Sequence, residues 1–132
     1  NDLSPKLPEK VFKRCHHVVT ENTRVLEATE ALIRKDFQLL GKLIYASHQS
    51  LSNDYEVSCP ELDFVVEQTK AKEYVLGSRM MGGGFGGCTI NLVAKKEAKT
   101  FSEIAAKAYK NKFGKECSVY FIELSQGTHI VK

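Results

Sequence analysis

Five glycines around one phenylalanine, Gly82-Gly83-Gly84-Phe85-Gly86-Gly87, constrain this chain more than any other stretch. Glycine reaches positive φ without strain, and its bare backbone can lie close to another group. Neither a helix nor a strand interior tolerates such a density of it. The apolar run Tyr74–Leu76 comes before it, and Cys88–Ala94, which alternates apolar with polar residues, comes after it. Alternation is the period of a strand. The glycines therefore read as a tight connection between two strands, with the rest of the chain packed around that connection.

Successive amides in such a connection form a concave nest that binds anions. A flexible hairpin without a ligand has the same composition. No Lys-Ser or Lys-Thr follows the glycines, so the stretch is not a Walker loop. No helical pattern follows them either, which excludes a Rossmann fingerprint and a helix dipole for phosphate.

The remaining composition narrows the class. A chain of 132 residues suits a single domain over 1–132. The formal charge of +3 is spread without a stripe, so it is only a weak argument for nucleic acid, and no nucleic-acid partner is expected. No apolar run is long enough to span a membrane. The polar start with Pro5 and Pro8 is not a secretory signal, and it lacks an initiator methionine, as expected for a piece of a longer protein. Cys15, Cys59, Cys88 and Cys117 are far apart and form no C-x-x-C pair. They read as small buried hydrophobes in a reducing compartment, hence a cytoplasmic protein. His16, His17, His48 and His129 do not combine with them at metal-ligand spacing, so no metal site is expected.

The helices follow from periodicity and caps. After Pro8, which suits a first turn, Val11, Cys15, Val18, Val25, Leu26, Leu32 and Ile33 recur at helical steps. Lys10, Lys13, Arg14, Glu21, Arg24 and Glu27 occupy the other face, expected to be solvated; a buried Glu21 or Arg24 holding a neighbouring segment is the alternative. Asp36 caps a second helix carrying Phe37, Leu40, Ile44 and Ser47 along one side and weakened by Gly41. It should end near Leu51, with Ser52-Asn53-Asp54 as a loop. Ser58, Pro60 and Glu61 form a capping box for a third helix, with Val57 and Leu62 as its staple and Leu62, Val65 and Val66 buried. After a charged turn at Lys95–Lys99, Phe101, Ile104, Ala105, Ala108 and Tyr109 mark a fourth helix stopped by Gly114. Val119–Leu124 reads as an interior strand, Ser125-Gln126-Gly127 as a turn and Thr128–Val131 as an edge strand.

This order predicts an α+β fold: a mostly antiparallel sheet of three to four strands, helices on one face, ferredoxin-like in connection. The leading strand of that unit is not visible, so the tail or an upstream segment supplies the fourth.

Gly77-Ser78-Arg79-Met80-Met81-Gly82-Gly83-Gly84-Phe85-Gly86-Gly87-Cys88-Thr89 resembles the third conserved motif of the GHMP small-molecule kinases, in the form carried by galactokinases. His17-Val18-Val19-Thr20-Glu21-Asn22 with Arg24 is similar to the galactokinase helix that opens the C-terminal half. Ser47-His48, Ser50-Leu51 and Asp54 to Asp63 resemble the family's next block, and Ser125-Gln126-Gly127 its closing turn. Met81 stands where the family usually has threonine, and His16 where arginine is common.

The resemblance implies the C-terminal domain of an enzyme that moves the γ-phosphoryl group of ATP to galactose, with magnesium. It also implies what is absent. The family's galactose-recognition motif, serine-rich phosphate loop and catalytic aspartate and arginine lie in an N-terminal domain not represented here. A phosphoryl-transfer site needs a nucleotide cradle, a magnesium ligand and a positioned nucleophile. No catalytic residue is therefore expected in this chain, and no ATP or magnesium bound to it alone. Met81, Gly82, Gly83, Gly84, Phe85, Gly86 and Gly87 are expected to form one wall of the cleft, with Phe85 packed as an anchor. An exposed apolar patch nearby would receive the missing domain, or drive dimerisation without it. The alternatives are a non-catalytic galactose and ATP sensor or interaction module on the same fold, or another GHMP sugar kinase. An RNA-binding ferredoxin-like domain is disfavoured, since Tyr120 and Phe121 are adjacent and face opposite sides.

Overall fold

A computed structural model describes residues 7–123 and 130. Four helices and two strands carry the architecture: α1 (Glu9–Ile33), α2 (Phe37–Ser50), α3 (Pro60–Lys70), β1 (Val75–Met81), β2 (Cys88–Val93) and α4 (Ala98–Phe113). Helices α2 and α3 pack on β1, α1 packs on α2, and α4 lies against α3. The strands pair antiparallel, with Met81 opposite Cys88 and Val75 opposite Val93, and the register shifts between Val75 and Gly77.

Local chemistry sets most boundaries. Asp36 accepts the Leu39 amide at 2.9 Å, the side-chain cap its sequence position predicts. Gly114 ends α4 in the left-handed region, at φ 68°, where a side chain would be strained. Pro60 opens α3 at a position where its missing N–H is harmless.

Four expectations need correction. Ser58 makes no cap: Cys59 holds the N-cap position of α3 without a side-chain bond, and the Ser58 hydroxyl donates to Asp63 instead. Ser52-Asn53-Asp54 is not an open loop. It lies in a π-helical turn, Leu51–Tyr55, continuous with α2 and closed by the Glu56 and Val57 amides donating to the Leu51 carbonyl. None of the four cysteines is buried: Cys15 and Cys88 are exposed, Cys59 and Cys117 half-buried, and all are free.

The fourth correction concerns α1. Val11, Val18, Val25, Leu26, Leu32 and Ile33 are all exposed, while the buried residues of the helix are His17 and Ala31. Its polar face, with Glu21 and Arg24, is the one turned to the body, where Ser47 on α2 and Arg79 on β1 donate to Glu21.

Among the described residues the sheet has two strands. Residues 119–123 carry no strand, and the expected turn at 125–127 and edge strand at 128–131 lie outside the described residues except for Ile130. The small apolar core joins Leu51, Leu62 and Met80, with Val57 and Cys59 against it, so the predicted Val57–Leu62 staple is part of the core.

Candidate functional site

The connection from β1 to β2 is made almost wholly of positive-φ backbone. Gly82, Gly84, Gly86 and Gly87 have φ of 91°, 90°, 136° and 100°, and Phe85 has 58°. An L side chain rarely adopts the first four values. The loop is tied down at one point: the Phe85 amide donates to the Val57 carbonyl at 2.7 Å. Gly84 passes so close that a Cβ there would lie 2.2 Å from that same oxygen. Gly82, Gly83 and Gly86 face open space. The Phe85 ring does not anchor the loop as expected, since it is 78 % exposed; the backbone amide holds the loop instead.

Beneath the loop, buried polar groups are paired. His48 Nδ1 accepts the Met80 amide at 3.1 Å, which places its proton on Nε2, 3.2 Å from Asp63 Oδ1. Asp63 also accepts the hydroxyls of Ser52 and Ser58. Burial pushes the His48 pKa down from its ordinary value despite the Asp63 carboxylate.

Ser50 Oγ donates to Asp54 Oδ2, so its oxygen takes the Nδ1 proton of His17 at 2.9 Å, and Tyr55 stacks on the His17 ring. His17 is likewise lowered, first by burial. Glu21 accepts from Ser47 and Arg24 and lies 3.4 Å from Arg79 on β1. Burial raises the Glu21 pKa, but the bonds from Ser47 and Arg24 and the Arg24 and Arg79 charges outweigh it, and the net shift is downward. Of the alternative in which Glu21 or Arg24 holds a neighbouring segment, Glu21 does so through Ser47 and Arg79, whereas Arg24 bonds only Glu21 and Thr20 of its own helix.

At the rim, Arg14 reaches from α1 to the π turn, donating to the Asp54 carbonyl and the Glu56 carboxylate. Lys10, Arg14, Tyr55, Glu56, Val57 and Phe85 line a shallow open groove that ends at the loop.

Among the described residues no three His, Cys, Asp or Glu side chains converge to hold a metal ion. His17 and His48 are committed to backbone and neighbouring side chains. What the surface offers a ligand is bare loop backbone. Met81, expected in the wall, ends β1 half-exposed opposite Cys88. No helix is long and apolar enough to cross a membrane among the described residues. Sequence reasoning missed the roles of His48, Arg79, Arg14 and Glu56, each of which bonds at least one partner 32 or more residues away in the chain.

Comparison with known proteins agrees with this geometry. The family "GHMP kinases C terminal" matches residues 28–111, more than half the chain. A galactokinase of Staphylococcus carnosus (strain TM300) is 48 % identical over 92 % of this chain and 31 % of its own length. One of Thermotoga neapolitana is 45 % identical over 92 % of this chain and 35 % of its own length. The crystal structure of Lactococcus lactis galactokinase complexed with galactose superposes with a TM-score of 0.82 at 40 % identity, covering 86 % of this chain and 29 % of that one. The chain thus spans about a third of the length of the relatives it matches. Through the glycine loop, the helices that carry it and these matches, the chain belongs to the GHMP kinase C-terminal family.

Proposed function

We propose that this chain is the C-terminal domain of a galactokinase, in which the full enzyme transfers the γ-phosphoryl group of ATP to the anomeric hydroxyl of galactose. The observation that carries this is the loop itself: it is fixed at Gly84 and Phe85 and presents Gly82, Gly83 and Gly86 as bare backbone to open space. Phosphoryl transfer needs positioning and charge stabilisation more than covalent help from the protein. Met81 and Gly82 through Gly87 form one wall of the cleft, closing over the substrate side and bracing the phosphate loop of an N-terminal domain. That domain supplies the catalytic groups and holds ATP and magnesium.

The uncovered apolar stripe of α1 supports the same reading. Val11, Val18, Val25 and Leu32 recur every seven residues and are all exposed, a surface fit to pack on a second lobe. Without that lobe two copies of the chain pair through it. Val119, Tyr120, Phe121 and Ile122 are also exposed and apolar. On this reading they add a third strand, and the tail or an upstream segment a fourth, completing a ferredoxin-like sheet. Four free thiols fit the reducing cytoplasm.

The test uses the full-length protein that carries this chain, supplied with galactose, ATP and magnesium. Galactose 1-phosphate is the expected product, and the chain alone is inactive. Binding of both ligands without turnover would instead indicate a sensor on the same fold. A Gly83→Ala variant sharpens the test. Its Cβ meets nothing within 4 Å in this chain, so stability should hold while turnover falls.

A further inference from the structure

The glycine loop takes its position from Val57, and Val57 takes its own from the turn before it. That turn leaves α2 as a π-helical segment and exits through Glu56, a residue with a side chain held in the left-handed region at φ 57°. Such a conformation persists where the surroundings over-determine it. Arg14 supplies that determination from another element. Its guanidinium donates to the Asp54 carbonyl and to the Glu56 carboxylate, and its Cζ lies 5.8 Å from the centre of the Tyr55 ring between them. Three consecutive residues are thus gripped by one planar cation, a geometry that suits arginine and not lysine. The next residue carries the carbonyl that receives the Phe85 amide.

We propose that Arg14 is a positioning residue for phosphoryl transfer: it fixes the Asp54–Glu56 turn, and through Val57 it sets where the glycine wall stands. This rests on the galactokinase reading above. Arg14 touches no reacting atom. It acts by limiting how far the loop can retreat from the cleft. Losing it allows Glu56 to relax out of the left-handed region, moves the Val57 carbonyl and frees the Phe85 amide.

The experiment compares wild type, Arg14→Ala, Arg14→Lys and Glu56→Gln in the full-length protein, with two readouts. The first is hydrogen exchange at the Phe85 amide. It should quicken at least tenfold in Arg14→Ala, less in Glu56→Gln and Arg14→Lys, while amides in the α2 interior stay unchanged. The second is the kinetics with galactose and ATP. A loosened wall should lower kcat at least tenfold in Arg14→Ala with a smaller change in KM, and lysine should restore only part of it. Unchanged Phe85 exchange in both Arg14→Ala and Glu56→Gln overturns the proposal. So does a uniform rise in exchange across the domain, which would mark a merely structural residue. If Arg14→Ala does not fold, Glu56→Gln, altered at an exposed carboxylate, decides alone. A wild-type protein without galactose phosphorylation refutes the enzyme reading, while the exchange arm still reports on the clamp.

Discussion

Gly41 of α2 and Gly77 of β1 meet backbone to backbone. A Cβ on Gly77 would lie 2.8 Å from the Gly41 Cα, and one on Gly41 would lie 2.0 Å from the Leu76 carbonyl oxygen. The helix therefore presses on the strand with no side chain between them, at the place where the β1 register shifts. On helix propensity alone, Gly41→Ala should stabilise by about 1 kcal/mol. The clash is with backbone, which cannot rotate away, and forced overpacking costs roughly 1–3 kcal/mol or more. The steric effect wins. We expect Gly41→Ala to lower stability by about 2 kcal/mol, read as a lower denaturant midpoint with unchanged slope. A more stable variant would mean that α2 does not sit this close.

That contact shows what was legible in the sequence and what was not. The Asp36 cap, the Gly114 stop and the strand pair flanking the glycines are local signals, and each lies where its chemistry predicts. Gly41 read as a weakness because its partner is a backbone in another element. The Ser58 cap failed because Asp63 competes for the hydroxyl. Ser52-Asn53-Asp54 has loop composition, yet hydrogen bonds from Ser50 and to Leu51 wind it into a π turn. The stripe on α1 was visible, but periodicity says only which face is apolar, never what covers it. The open glycine connection was legible from composition; its tether to Val57 was not, since nothing marks a carbonyl as an acceptor for a distant amide.

Gly84 and Gly82 separate two reasons for glycine. Both have φ near 90°, but only Gly84 has a neighbour within reach, the Val57 carbonyl. Gly84→Ala carries backbone strain of about 1–3 kcal/mol and a clash besides. Gly82→Ala carries the strain alone. The expected order of thermal stability is wild type, then Gly82→Ala, then Gly84→Ala. Equal losses would show that the Val57 contact is slack.

Acid should loosen the joint between α2 and β1. His48 and His17 both have pKa values lowered from the ordinary 6.5, chiefly by burial. A lowered histidine binds its proton more readily in the unfolded chain, so its contribution is complete above about 6.5 and is lost as pH falls below that value. Protonated Nδ1 of His48 would also face the Met80 N–H donor to donor. Midpoints measured from pH 8 to 5 should fall below about 6.5. His48→Asn, which keeps an acceptor that does not titrate, should flatten that fall. An identical slope in the variant would move the effect elsewhere.

Glu21 is the counter-charge shared by Arg24 and Arg79. Glu21→Gln keeps the shape and loses the charge, leaving two guanidinium groups without a counter-ion where the carboxylate was 20 % exposed. Partial exposure softens the full cost of a broken buried pair, so about 1–3 kcal/mol is expected. The carboxylate also adds an acid limb of its own. Its pKa is lowered from 4.5, so its stabilisation is present above that value and lost as pH falls further. Glu21→Gln should lack that limb, and urea titrations at pH 4 and pH 7 would show it.

Leu26 tests what covers α1. It is 70 % exposed in this chain, and a surface substitution without partners shifts stability by no more than about 0.5 kcal/mol. Leu26→Lys should therefore leave the melting of the 132-residue chain unchanged and weaken its self-association, measured by sedimentation against concentration. If a second lobe packs on α1 in the full-length protein, the same change buries a charge against it, which costs far more than the exposed substitution. A melting temperature lowered there and not in the separate chain locates the stripe inside the interdomain contact. A neutral outcome in both, with self-association unaltered, would leave the α1 face solvated and remove it from the two-lobe account.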